Sequence, residues 1–229
     1  IALEWEPDSD TLLYVSAQRG FKSGGYNIGS NQRTPFEPED IWAYEAGLKA
    51  GLLDKRLRLN AATFIYDYTN LQAQDSIANQ PIIRNVGKAE VRGAEVEFAA
   101  LLGSVFQLDG SVTYLDAVFT EGELTEPLRP APLTDEPGST LRNLDGLRLP
   151  RAPEWKMNIG AQADFAAFGG DLTLRADYAW QDQVFFTVFN INVASQDSYG
   201  VLRARATYAP GHGQYKVALF GENLTDETY

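Results

Sequence analysis

Residues 155–165, WKMNIGAQADF, alternate strictly between apolar and polar positions. The apolar set is Trp155, Met157, Ile159, Ala161, Ala163 and Phe165. Because successive side chains of a β-strand point to opposite faces, the stretch predicts a strand with one apolar and one polar face. The apolar face needs a cover, which is either the core of a soluble sandwich or lipid.

The same alternation recurs along the chain. Clear examples are residues 42–52, 105–114, 172–180 and 202–208. We count about ten such segments, and all but the first are long enough for the roughly 9 to 11 residues of a tilted membrane strand. Residues 56–68 change face midway, which predicts a bulge or a rim beyond the membrane. No segment has a helical pattern, so the sequence predicts an all-β fold.

Short and long connections between these segments alternate along the chain. The tight turns are residues 7–10, 53–55, 101–104, 166–170 and 209–213, and the long loops are residues 22–38, 71–84, 116–152 and 182–197. The loops far exceed the median connection of about 4 to 6 residues. Outer-membrane barrels have short periplasmic turns and long extracellular loops. The pattern therefore predicts an antiparallel up-and-down transmembrane β-barrel.

The two predicted faces differ in composition. The polar faces carry charges deep in the strands: Glu45, Lys49, Glu95, Glu97, Asp109, Arg175, Asp177, Arg203 and Arg205. The apolar faces carry aromatic residues near strand ends: Trp42, Tyr44, Tyr114, Trp155, Phe165, Tyr178, Trp180 and Tyr208. Charges suit a polar lumen and aromatic residues suit a membrane interface. A soluble all-β protein with an aromatic core is the alternative, since alternation is common to both.

Composition excludes several classes. The 229 residues include 19 Lys and Arg against 31 Asp and Glu, a formal charge of −12, which argues against a nucleic-acid partner. There is no cysteine, hence no disulfide or thiolate metal site. No apolar run approaches the roughly 18 residues of a membrane helix. The chain opens at Ile1 without a signal peptide, so we expect a piece of a longer polypeptide.

No catalytic or metal site is predicted. The single histidine, His212, lies in a predicted turn between two glycines, where a solvated side chain is the simpler interpretation. Glu95 and Glu97 share a face at strand spacing and could act as acid and base, but lining of a polar lumen is favoured. The acidic residues of the loop 116–152 lack the spacing of a calcium loop. We therefore expect no enzyme activity, no metal and no cofactor.

Four stretches of the sequence carry a family resemblance. They are RGFKSGGYN (19–27), residues 38–68, NVGKAEVRGAEVEF (85–98) and GENLTDETY (221–229). In this order they resemble the C-terminal half of the β-barrel of TonB-dependent outer-membrane receptors. The most specific part is the run NLTD at 223–226, near the end of a penultimate strand. The resemblance covers nearly the whole chain.

The resemblance implies a barrel of about 22 strands whose lumen holds an N-terminal plug domain. Such a receptor binds a scarce nutrient, for example a ferric siderophore, and takes it up through contact with the inner-membrane TonB complex. The implied partners are this ligand, the lipid bilayer, the plug and the TonB complex. Compared with that pattern, we expect this stretch of sequence to be a piece without the plug, the TonB box, the earlier strands and the last strand. Ten strands cannot close the barrel, so the function is that of the parent protein.

Candidate ligand-binding residues lie near strand ends in two long loops. They are Arg19, Phe21, Lys22, Tyr26 and Arg33 in one, and Phe185, Phe186 and Phe189 in the other. Cations beside aromatic rings suit an anionic, aromatic iron chelate. The aromatic residues of VFFTVF could instead form an upper girdle or pack the loop. A second function hypothesis is a soluble or surface-attached β-sheet binding module, for example for glycans.

Overall fold

The computed structural model describes residues 1–28, 34–77, 80–126, 141–211, 213 and 215–229. Ten strands form one sheet: β1 (Ala2–Asp8), β2 (Thr11–Lys22), β5 (Glu39–Leu52), β6 (Leu57–Thr69), β9 (Gly87–Leu102), β10 (Phe106–Thr125), β12 (Trp155–Ala167), β13 (Gly170–Gln181), β16 (Tyr199–Pro210) and β17 (Val217–Gly221). Each pairs antiparallel with its neighbours in chain order. The predicted up-and-down architecture is confirmed.

We call the end of the sheet that carries the long loops the loop end. Shorter strands lie there. They are β3 (Gly25–Tyr26), β4 (Pro35–Phe36), β7 (Gln72–Ile77), β8 (Gln80–Asn85), β11 (Leu141–Asn143), β14 (Val184–Phe185) and β15 (Ser195–Gln196). A 3₁₀ turn occupies Asn192–Ala194. Among the described residues, no helix has the length and hydropathy to cross a membrane. The sheet is not closed, because β1 and β17 are both edge strands.

Two details differ from the sequence analysis. Of the two explanations for residues 56–68, the bulge is wrong, because β6 pairs with β5 and with β9 in an uninterrupted register, and the rim beyond the membrane stays a prediction. Its aromatic residues Phe64, Tyr66 and Tyr68 instead lie on the inner face, where an apolar cluster accommodates them. The last strand, β17, has five residues and is shorter than the predicted membrane strands.

The outer face of the sheet carries a continuous apolar band. In β9 the band runs from Ala94 to Leu102, and cross-strand partners extend it through β10 and β12. Nine residues extend about 27 Å along a strand, or about 21 Å in height at a tilt near 40°, close to the apolar band of about 25 Å in membrane barrels. Met157, Ile159 and Leu174 are 37%, 47% and 41% exposed. Within the described parts of the chain, no second layer covers this face.

Aromatic pairs mark the upper edge of the band. The rings of Tyr114 and Trp155 are 4.8 Å apart, and those of Trp42 and Tyr44 are 6.1 Å apart. Toward the loop end the outer face becomes charged, with the ion pairs Arg92–Glu90, Lys88–Glu121 and Arg19–Asp40. This order, from apolar side chains through aromatic rings to charges, is that of a membrane interface.

The buried core lies at the loop end, against the inner face. Its buried members are Val86, Ala89, Phe119, Leu124, Leu144 and Phe189. Gly87 and Gly122 face each other in adjacent strands with φ of +144° and +150°. A Cβ on either would strike the backbone of the other strand, so glycine allows the close approach that closes this core.

Candidate functional site

A charged cluster lines the inner face toward the turn end of the sheet. Arg175 donates to both carboxylate oxygens of Asp109 at 2.9 and 3.0 Å, and to those of Asp177 at 2.5 and 3.1 Å. The guanidinium fills the space over Gly160, where a Cβ would meet all three charged groups. The cluster is a polar wall that is about one-third exposed. It fits a water-filled or protein-filled lumen rather than lipid.

The other side of the inner wall is acidic and aromatic. The hydroxyl of Tyr14 donates to Glu45 Oε1 at 2.5 Å, and its ring lies over Gly47. Lys49 Nζ is 5.9 Å from the centre of the Tyr14 ring. Among the residues that the structure describes, no group of three or more His, Cys, Asp or Glu side chains is arranged to hold a metal ion.

An aromatic patch covers the inner wall between the charged zone and the loops. The rings of Phe64 and Tyr66 stack at 4.8 Å. Leu149 and Ala152 of the third long loop pack against the cluster that Phe64 forms with Val91 and Ala117. That loop segment follows the upper part of β10, because Leu149 N–H donates to Ala117 O at 2.9 Å. The patch therefore lies directly beneath the loops.

The first and second long loops, residues 23–38 and 70–86, are joined by side-chain amides. Asn27 Nδ2 donates to Ile83 O at 2.8 Å, and Ile83 N–H donates to Asn27 Oδ1 at 2.7 Å. Asn85 Nδ2 donates to Glu37 O at 3.0 Å, and Glu37 N–H donates to Asn85 Oδ1 at 2.7 Å. Gln72 adds bonds from its Nε2 to Ser23 O and Glu37 O, both at 3.1 Å. Within their own loops, Asn27 Nδ2 also donates to Thr34 O at 3.2 Å and Asn85 Nδ2 to Asn70 O at 2.7 Å. Across the loops, each asparagine bonds both backbone groups of one residue, as a β-strand neighbour would.

The second loop is bonded to the top of β10. Arg84 Nη2 donates to Glu123 O at 2.8 Å, and Arg84 Nε lies 2.6 Å from Asp75 Oδ2. Asp75 Oδ1 accepts Thr125 N–H at 3.2 Å. The Asp75 carboxylate is buried, and this pairing compensates the cost of burying its charge.

The third loop, residues 126–154, is bonded to the fourth, residues 182–198, by a third asparagine. Arg148 N–H donates to Asn190 Oδ1 at 2.7 Å, and Asn190 Nδ2 donates to Arg148 O at 2.9 Å. Arg151 N–H donates to Phe185 O at 2.8 Å. Within the third loop, Arg142 Nη1 lies 3.1 Å from the buried Glu126 carboxylate. The described residues therefore bond the first loop to the second and the third loop to the fourth.

The candidate ligand residues of the first loop divide between faces. Strand alternation places Arg19 and Phe21 on the outer face, where Arg19 pairs with Asp40 at 2.9 Å. Lys22 lies on the opposite face at the end of β2. Tyr26 is 70% exposed in the hairpin β3–β4. Arg33 lies outside the described residues, as does His212.

The candidates of the fourth loop also differ in exposure. Phe186 is 51% exposed, Phe185 belongs to β14, and Phe189 is buried in the core of the loop end. Phe189 therefore packs the loop, as the alternative interpretation proposes. From β5 to β13 the sheet has five inter-strand steps, about 24 Å, so the two groups of candidates lie well apart. Ligand contact at these positions stays a prediction.

Sequence reasoning missed the residues that join the loops. Asn27, Asn85, Asn190 and Gln72 have no distinctive spacing, and loop asparagines are too common to attract notice. Their partners on the other loops are backbone groups 35 to 56 residues away, which no local pattern encodes. Asn190 alone carries a local structural sign, a positive φ of 50°.

Comparison with known proteins gives a consistent result. A family model described as "TonB dependent receptor-like, beta-barrel" matches residues 1–224. The metal-pseudopaline receptor CntO of Pseudomonas aeruginosa is 30% identical over 124 residues, which are 54% of this chain and 17% of that protein. The chain thus spans about a sixth of that relative.

Solved structures share the fold. The ferric yersiniabactin uptake receptor FyuA from Yersinia pestis superposes with a TM-score of 0.77 at 20% identity, covering 99% of this chain and 32% of that one. The siderophore receptor PiuA from Acinetobacter baumannii gives 0.74 at 22% identity, covering 99% and 31%. The chain corresponds to about a third of each.

Proposed function

The chain belongs to the family of TonB-dependent receptors, as part of their β-barrel, and from this membership we propose that the complete protein imports a metal chelate, most simply a ferric siderophore. The barrels of this family lie in the outer membrane of Gram-negative bacteria. CntO is named for a metal-pseudopaline complex, FyuA for ferric yersiniabactin and PiuA for siderophores. These names support the class of ligand.

The observation that carries the proposal is the division of the sheet into two faces. The outer face is an apolar band without a protein cover, and the inner face holds the Arg175 cluster and the Tyr14–Glu45 pair. A lipid-facing wall around a polar lumen is what a transport barrel requires. We further propose that the chain is the C-terminal part of the barrel and that a plug domain and the TonB complex act with it.

Within this function, the accessible candidate residues are proposed to contact the ligand. Lys22, Tyr26 and Phe186 are exposed at the loop end. A cation and aromatic rings there favour an anionic, aromatic chelate. Arg19 and Phe21 lie on the outer face and Phe189 is buried, so we expect smaller roles for them.

The soluble β-sheet module is less well supported. It needs a protein layer over Met157, Ile159 and Leu174, and these side chains are exposed. The family and its structural neighbours are transport receptors, so we also propose no enzymatic activity.

Growth of a deletion strain tests the transport function. The parent gene is deleted, and growth under metal limitation is measured on a panel of catecholate, hydroxamate and mixed metal chelates. We expect a defect on at least one chelate, restored by the gene on a plasmid. Normal growth on every chelate, with other receptors for the same chelates also deleted, would contradict the proposal.

A further inference from the structure

The three asparagine pairs between the loops share one geometry. In each, the side-chain amide donates to the C=O and accepts from the N–H of the same residue on a neighbouring loop: Asn27 with Ile83, Asn85 with Glu37, and Asn190 with Arg148. Besides these six bonds, the Asn27 and Asn85 amides donate within their own loops, to Thr34 O and Asn70 O. All six bonds are between 2.7 and 3.0 Å. We call these three pairs the amide clamps.

The clamps are placed beside candidate ligand residues. Asn27 directly follows Tyr26, and Asn190 directly follows Phe189 in the loop that carries Phe186. Asn85 fixes Glu37 while Gln72 fixes Ser23, the residue after Lys22. Tyr26 and Phe186 are thus within four residues of a clamp asparagine, and Lys22 directly precedes a residue that Gln72 bonds from the second loop.

The clamps bond the loops in two pairs, and Arg84 and the top of β10 lie between these pairs. Two of them join the first and second loops, Arg84 joins the second loop to β10, and the third clamp joins the third and fourth loops. The buried core at the loop end lies between these connections. A change in any one loop is therefore opposed by bonds to the next.

We propose that Asn27, Asn85 and Asn190 are positioning residues that hold the extracellular mouth of the receptor in a preformed shape, ready for a bulky metal chelate. This inference rests on the proposed function. Ordering a loop at the moment of binding costs conformational entropy, and a loop that is already ordered avoids that cost. A chelate that fits the mouth binds without closure of these segments, and one that does not fit must break a clamp.

Hydrogen exchange in the complete receptor tests the clamps without any ligand. Asn27→Ala, Asn85→Ala and Asn190→Ala each remove the acceptor for one backbone amide, that of Ile83, Glu37 and Arg148 respectively. We expect exchange at that amide to rise at least about tenfold, with the barrel strands unchanged. Asn190→Asp keeps the acceptor and loses the donor, and we expect an intermediate rise.

Asn192→Ala is the matched control. Asn192 lies in the same loop as Asn190 and is exposed, and its side chain makes no hydrogen bond to a described residue. We expect its exchange pattern to equal that of the unmodified receptor. Unchanged exchange at all three clamped amides, or an equal rise in the control, would overturn the proposal.

Uptake measurements then separate a positioning role from a purely structural one. For a chelate that the unmodified receptor imports, the clamp variants should raise the half-saturating concentration several-fold and leave the maximal rate unchanged. Faster exchange with an unchanged half-saturating concentration would overturn the positioning role. If the unmodified receptor imports none of the chelates, the transport proposal fails, while the exchange result still decides whether the mouth is preformed.

Discussion

At the scale of single residues, glycine positions decide where large side chains lie. Gly160 leaves room for the Arg175 guanidinium, and Gly93 leaves room for the ring of Phe64. In both places a Cβ would come closer to the neighbouring group than van der Waals contact allows. The sequence alternation predicts the face of each glycine but not the side chain that fills its space.

Arg175 gives a prediction at this scale. Arg175→Met leaves Asp109 and Asp177 facing each other across Gly160. We expect the receptor to lose about 1 kcal/mol of stability, a small value because solvent screens charges in a partly exposed cluster. The midpoint of thermal unfolding in detergent measures it. Arg203→Met is the control, because Arg203 shares the inner face and has no ion pair with a described residue. Equal midpoints for both variants would contradict the expectation.

At the scale of strands, period-2 alternation predicts which residues face lipid and which face the lumen. It succeeds for residues 155–165, whose apolar set lies on the outer face as expected. It misleads for β6, where Phe64, Tyr66 and Tyr68 suggest a change of face although the register is continuous. The register places those rings on the inner face, and the distant residues Leu149 and Ala152 belong to the same apolar cluster. That contact lies about 80 residues away in the chain and leaves no local signal.

Neighbouring positions in β12 test the assignment of faces. Ile159→Arg places a charge in the apolar band and should destabilise the receptor by about 2 to 4 kcal/mol, while Asn158→Arg points inward and should cost far less. Urea unfolding in lipid vesicles compares the two. A larger loss for Asn158→Arg would reverse the two faces and refute the membrane assignment.

At the scale of the whole molecule, the sequence predicts the sheet and leaves the loop end largely unpredicted. Turn lengths and alternation give the order of ten strands, and the structure confirms it. The bonds of Asn27, Asn85 and Asn190 arise only when the loops meet in space. The ligand residues depend on those same contacts, so exposure separates Tyr26 and Phe186 from the buried Phe189.

The solubility of the isolated segment gives a prediction at this scale. Residues 1–229 expose the apolar band and two unpaired strand edges, β1 and β17. In buffer without detergent we expect aggregation, because apolar surface and free edges both promote association. Size-exclusion chromatography with and without detergent measures this. A monodisperse, β-rich monomer in plain buffer would favour the soluble module instead.

The uninterrupted pairing of β5, β6 and β9 has a consequence for how such a gene can change over time. Adding or removing one codon inside one of these strands would exchange the apolar and polar faces of the rest of that strand. Insertions and deletions should therefore accumulate in the turns and loops, whereas the strands should change only by substitution of one amino acid for another.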